Sequence, residues 1–100
     1  MFDVGKEKSG SEVMITLKGV LDTPAAPMLT EALADAIEGT TKLTFDFAGL
    51  EYLTSAGLRV LLEAQQNMDD NGGEMILKNV SDDIMEVFEL TGFDDVLTIE

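Results

Sequence analysis

The sequence predicts an α/β fold, a mixed β-sheet with its helices packed mainly on one face. Three observations predict it. Alternating apolar runs such as Leu43-Thr44-Phe45-Asp46-Phe47 are interleaved with stretches of helical spacing such as Leu58, Leu61, Leu62, Gln65 and Met68. The order reads β-β-α-β-α-β-α-β, and strand–helix–strand alternation calls for parallel pairing with the connecting helices laid on the sheet. Finally, 100 residues with 45% hydrophobic content supply one core, so residues 1–100 are expected to form one domain, without internal repeat, long linker or low-complexity segment.

Each element has its own local reason. Phe2 to Lys8 reads as a short first strand, with a turn region from Lys6 to Ser11 centred on Ser9-Gly10-Ser11. Val13 to Lys18 is a second strand, with Val13, Ile15 and Leu17 on one face. Pro24 or Pro27 suits the first turn of a helix whose stripe is Leu29, Leu33, Ala36 and Ile37, with Ala32 beside it and Gly39 as its stop. In the strand around Phe45, Asp46 points away from the face of Phe45 and Phe47 and is expected near the strand's C-terminal end. A helix from about Ser55 to Asp69 follows, then a loop at Asn71-Gly72-Gly73 and a buried strand at Met75-Ile76-Leu77. Ser81 starts a third helix, with Asp82 and Asp83 placed where the helix dipole favours anions. Ile84, Val87, Phe88 and Thr91 line one side of it and Gly92 closes it, before a last strand over Val96-Leu97-Thr98-Ile99.

Composition excludes most chemistries. With 20 Asp and Glu against 6 Lys and Arg, the formal net charge is -14. Such a surface repels nucleic acid and anionic lipid and suits a basic protein partner. There is no His, Cys or Trp, which removes Ser-His-Asp and Cys-His catalysis, His-ligated zinc and thiolate chemistry. The pairs Asp69-Asp70, Asp82-Asp83 and Asp94-Asp95 lack calcium-loop spacing and read as turns and caps. Gly72-Gly73 has no phosphate-loop pattern around it, and no Lys stands near Ser55 for a Ser-Lys mechanism. No catalytic residue, metal or cofactor is therefore expected. Without a signal-like N-terminus or a run near the ~18 apolar residues of a membrane span, the expected location is the cytoplasm, without membrane insertion.

The stretch Leu53-Thr54-Ser55-Ala56-Gly57-Leu58-Arg59-Val60-Leu61-Leu62 carries the candidate site. It sets Ser55 at or beside a helix N-terminus, where backbone N–H groups lack partners. Two roles stand open there: Thr54 or Ser55 as an N-cap worth about 1 kcal/mol, or Ser55 as a phosphate acceptor facing those donors. Arg59, the only arginine, lies one helical turn after Ser55, placed to hold a phosphate, meet a partner or simply face water. Asp46 resembles the phospho-accepting Asp of a receiver domain in its position only, since the acidic pair and the lysine of receivers are missing.

Over nearly its whole length the chain resembles the STAS domains of bacterial anti-sigma factor antagonists. Gly19-Val20-Leu21-Asp22 is similar to the family's Gly-x-Leu-Asp. Leu50-Glu51-Tyr52-Leu53-Thr54-Ser55-Ala56-Gly57-Leu58 is similar to its phosphorylation loop, with Thr54 where the family commonly has Asp. Gly72-Gly73-Glu74-Met75 and Val87-Phe88-Glu89-Leu90-Thr91-Gly92-Phe93 are similar to its C-terminal strand–helix unit. The resemblance implies a partner switch. The unmodified, monomeric domain would bind an anti-sigma factor that is also a serine kinase with a GHKL-type ATP site, releasing a sigma factor. Phosphorylation of Ser55 would end binding and a serine phosphatase would restore it. Partner contacts would come from Asp22, Thr23, Thr54, Ser55, Ala56, Gly57 and Arg59, Gly57 letting the partner's backbone come close, with Asp46 in support. The alternative is a STAS-type accessory subunit of a lipid-transport ABC system, which would dock on the ATPase without any need to modify Ser55.

Overall fold

In the computed structural model, which describes residues 2–100, the strands are β1 (Phe2–Ser9), β2 (Glu12–Leu21), β3 (Lys42–Leu53), β4 (Glu74–Lys78) and β5 (Thr98–Ile99). The helices are α1 (Ala26–Ala34), α2 (Ser55–Asp70) and α3 (Asp82–Thr91), with a 3-10 turn at Phe93–Asp95. The sheet order follows the chain, β1-β2-β3-β4-β5. β1 and β2 pair antiparallel through a two-residue turn, where Gly10 takes a positive φ of 62°. All later pairings are parallel. Each parallel crossover steps one strand in the same direction, so right-handed connections place all three helices on one face. The burial agrees with this. Val13, Ile15, Leu17, Leu43, Phe45, Phe47, Met75 and Leu77 share one core cluster with Leu29, Leu33, Leu61, Met68, Ile84 and Phe88. Phe47 and Phe88 meet edge to face at 6.2 Å, which locks α3 onto the centre of the sheet.

Four boundaries differ from the sequence reading, the first being β2, which runs on past Lys18 to Leu21. β3 runs on to Leu53, so Asp46 lies within the strand and not near its end. The reason is two extra residues in β3 relative to β2: Thr16 pairs with Asp46 but Lys18 with Gly49, and Gly19 pairs with Leu50 but Val20 with Tyr52. These bulges change the buried spacing from two to three, through Phe47, Leu50 and Leu53, and hide the strand from a period-two search. α1 ends at Ala34, with Asp35 as its C-cap, so Gly39 does not terminate it; Ala36 and Ile37 belong to the turn beyond. The last strand is only Thr98–Ile99, because Phe93–Asp95 forms the 3-10 turn and Val96 N–H donates back to Phe93 O.

Beyond Asp46 the sheet narrows. β4 pairs with β3 only as far as Asp46 opposite Lys78. Past that pair β3 is joined to β2 alone, and β1 flanks β2 only as far as Gly19, so Val20–Leu21 and Tyr52–Leu53 form a two-stranded tip to the β2–β3 ribbon. α1 and α2 both start from that tip.

Candidate functional site

At the ribbon's tip two chain segments leave side by side. Thr54 N–H donates to Leu21 O at 3.0 Å, tying the start of α2 to the end of β2. On the other segment, Asp22 builds its own turn: Oδ1 accepts from Ala25 N–H at 3.1 Å, and its carbonyl accepts from Ala25 and Ala26 N–H. That turn launches α1, whose first helical positions hold Pro27.

Thr54 occupies the N-cap position of α2 with extended backbone, yet its side chain makes no capping bond. Its hydroxyl faces Leu21 O at 3.4 Å instead. Ser55 is the first helical residue and is exposed. The capping role open to either hydroxyl in the sequence is therefore filled by neither. The first turn carries no acidic side chain to offset the positive end of the helix dipole.

Ser55, Ala56 and Arg59 line a groove between α1 and α2, facing Thr23, Ala26, Pro27, Thr30 and Glu31 across it. Val60 and Glu63 continue the groove along α2. Four of the sequence-predicted partner residues, Thr23, Ser55, Ala56 and Arg59, thus converge on one surface. Asp22 lies beside it, lining a separate depression with Pro24 and Met28. Thr54 is half-buried and does not line the groove.

Gly57 does not behave as the resemblance implied. It is buried and faces inward: a Cβ there would stand 2.8 Å from Leu21 Cγ and 3.0 Å from Leu21 O. The backbone that comes close is this chain's own β2, not a partner's. Asp46 also serves the fold directly. Its Oδ1 accepts from Ala48 N–H and from Asn79 Nδ2, both at 2.9 Å, bracing the first bulge of β3 against the loop before α3. The Asn79 amide, then the Ala48 N–H, holds the Asp46 carboxyl below its ordinary range.

Sequence reasoning missed the α1 wall of the groove. Thr30 and Glu31 fall outside every motif, and the signal available was their place on the exposed side of an α1 stripe defined by Leu29 and Leu33. It also passed over Tyr52, 47% exposed one residue before the ribbon ends. Among the described residues no cluster of acidic side chains is arranged to hold a metal, and no helix is long and apolar enough to cross a membrane.

A family model described as the STAS domain matches residues 4–100. The chain is 26% identical over 97 residues to the anti-sigma-B factor antagonist of Bacillus subtilis strain 168, covering 97% of this chain and 89% of that protein. It is 31% identical over 97 residues to the anti-sigma-B factor antagonist of Listeria monocytogenes, covering 95% and 84%. The solved structure of the Bacillus cell fate determinant SpoIIAA in its phosphorylated form superposes with a TM-score of 0.78 at 24% identity, over 98% of this chain and 91% of that one.

Proposed function

Because this chain belongs to the STAS domain family, we propose that it is an anti-sigma factor antagonist, switched by phosphorylation of Ser55. The observation that carries this reading is the free hydroxyl at the start of α2: exposed, uncapped, and set in a groove with Thr23 and Arg59. Of the two adjacent hydroxyls it is the accessible one, since Thr54 is half-buried and turned to Leu21 O. The names of the relatives and the phosphorylated form of SpoIIAA point the same way.

On this reading the unmodified groove and the ribbon tip bind an anti-sigma factor with a GHKL-type serine-kinase site, in the cytoplasm and as a monomer. Binding frees a sigma factor. A phosphate on Ser55 brings about -1.5 to -2 charges into that interface, where their desolvation opposes contact. The domain's own charge of -14 steepens the effect and gives association a strong salt dependence. A serine phosphatase resets the switch.

Calorimetry with the cognate anti-sigma factor tests it. The phosphorylated protein and Ser55→Asp should bind at least about tenfold more weakly than wild type, which is about 1.4 kcal/mol, while Ser55→Ala should bind as wild type does. Mass spectrometry after incubation with the kinase and ATP should place one phosphate on Ser55. A phosphate on Thr54, or equal affinity for wild type and Ser55→Asp, overturns the reading.

A further inference from the structure

Arg59 holds an unusual place in the charge pattern. All five lysines lie on strands: Lys6 and Lys8 on β1, Lys18 on β2, Lys42 on β3 and Lys78 on β4. Arg59 is the one basic side chain on a helix, and among the described residues it makes no salt bridge. It is exposed, lines the groove, and stands one helical turn from Ser55 on one side and one turn from Glu63 on the other. Residues so spaced have Cβ atoms about 5–6 Å apart, within easy reach of a guanidinium.

We infer that Arg59 is the internal counter-ion of a phosphate on Ser55, so that modification adds charge to the groove and also withdraws its free cation from the partner. The inference rests on the reading of Ser55 as the modified residue. Two carboxylates compete for Arg59, Glu63 on α2 and Glu31 across the groove on α1. The competition favours the phosphate for two reasons. An acid four residues before a cation is better placed on a helix than an acid four residues after it, which ranks position 55 above Glu63. A phosphate also carries up to twice the charge of a carboxylate, and its oxygens accept the guanidinium fork in bidentate fashion. In the unmodified protein Arg59 is free to answer an acidic or carbonyl group of the partner. Once it folds back onto the phosphate, no free cation is left in the groove beside Glu31 and Glu63, and the whole groove presents negative charge.

The test uses full-length protein with phosphoserine installed at position 55 during translation, so that no kinase is involved. Phosphorus NMR follows the titration of the phosphate in this protein and in its Arg59→Gln and Arg59→Lys variants. A neighbouring cation favours the dianion, so its removal must raise the midpoint. Glu31 and Glu63 face the groove in all of these proteins and cancel in the comparison. The midpoint should rise by about 0.5 pH unit or more in Arg59→Gln, with Arg59→Lys falling between. A smaller rise, or a fall, overturns the counter-ion role. Because Arg59 is exposed, the variants keep the fold, and circular dichroism verifies it. The two readings fail separately: a kinase that marks another hydroxyl removes the functional reading and leaves this titration intact, whereas an unmoved midpoint removes only Arg59's role.

Discussion

Helices α2 and α3 both begin at a serine after a parallel strand, and the two serines have opposite fates. Ser81 sits at the N-cap of α3, and its hydroxyl accepts from Ile84 N–H at 3.3 Å. Asp82 and Asp83 follow in the first turn, where the dipole favours them. Ser55 sits one position later, inside α2, behind a Thr54 that does not cap, and without any acid in the turn. One start is satisfied by its own side chains; the other is left open. The shift of a single position decides whether a serine is a structural part or a free hydroxyl. What secures the open start is packing: Gly57 against Leu21, and the Thr54–Leu21 backbone bond.

The largest break in this comparison is expected at Gly57. Gly57→Val forces branched carbons into Leu21 and its carbonyl and should destabilise the fold by about 3 kcal/mol, the upper range for overpacking. Gly57→Ala should cost less, because alanine returns about 1 kcal/mol of helix propensity. Urea unfolding reads both. A neutral Gly57→Val would mean that α2 is anchored elsewhere.

Next come the serines themselves. Ser81→Ala should cost about 1 kcal/mol, as lost N-caps do. Ser55→Ala should stay within about 0.5 kcal/mol of wild type, as exposed substitutions do. Equal costs at both positions would erase the distinction between cap and free hydroxyl.

The smallest effect sharpens the α3 side. Asp46 braces the loop before α3 through Asn79, and its carboxyl is held below the ordinary range by that amide and by Ala48 N–H. A carboxyl lowered on folding stabilises above its unfolded pKa, near 4, and that stabilisation disappears as pH falls through the folded value. Wild type should therefore exceed Asp46→Ala by about 1 kcal/mol at neutral pH, with the gap closing below pH ~4. A gap that persists at acid pH would assign the effect to packing.

The two helix starts also differ in how readable they were. Ser81, Asp82 and Asp83 obey the local rules for a helix beginning, so α3 was legible residue by residue, down to Gly92, which adopts a positive φ of 80° at its C-cap. The position of Ser55 beside a helix N-terminus was legible as well. Its freedom was not, because it depends on where the Thr54 hydroxyl turns, and that is set by Leu21, 33 residues away. The end of β3 was hidden by bulges that break the two-residue period. The inward packing of Gly57 and the Asp46–Asn79 bond each join parts of the chain that no sequence window spans. Local chemistry was readable; the contacts between distant segments had to be seen folded.

The ribbon of β2 and β3 beyond Asp46 has a mechanical consequence. β1 still flanks it at Lys18 and Gly19, and only the last pairs, Val20 with Tyr52 and Leu21 with Leu53, stand beyond both β1 and β4 as its free end. The starts of α1 and α2 are yoked across that free end by the Thr54–Leu21 bond and by Gly57 pressed on Leu21. A force applied at Ser55 is therefore shared by Asp22 and the first turn of α1. The two segments are thus joined at the tip as one surface and not as two independent loops.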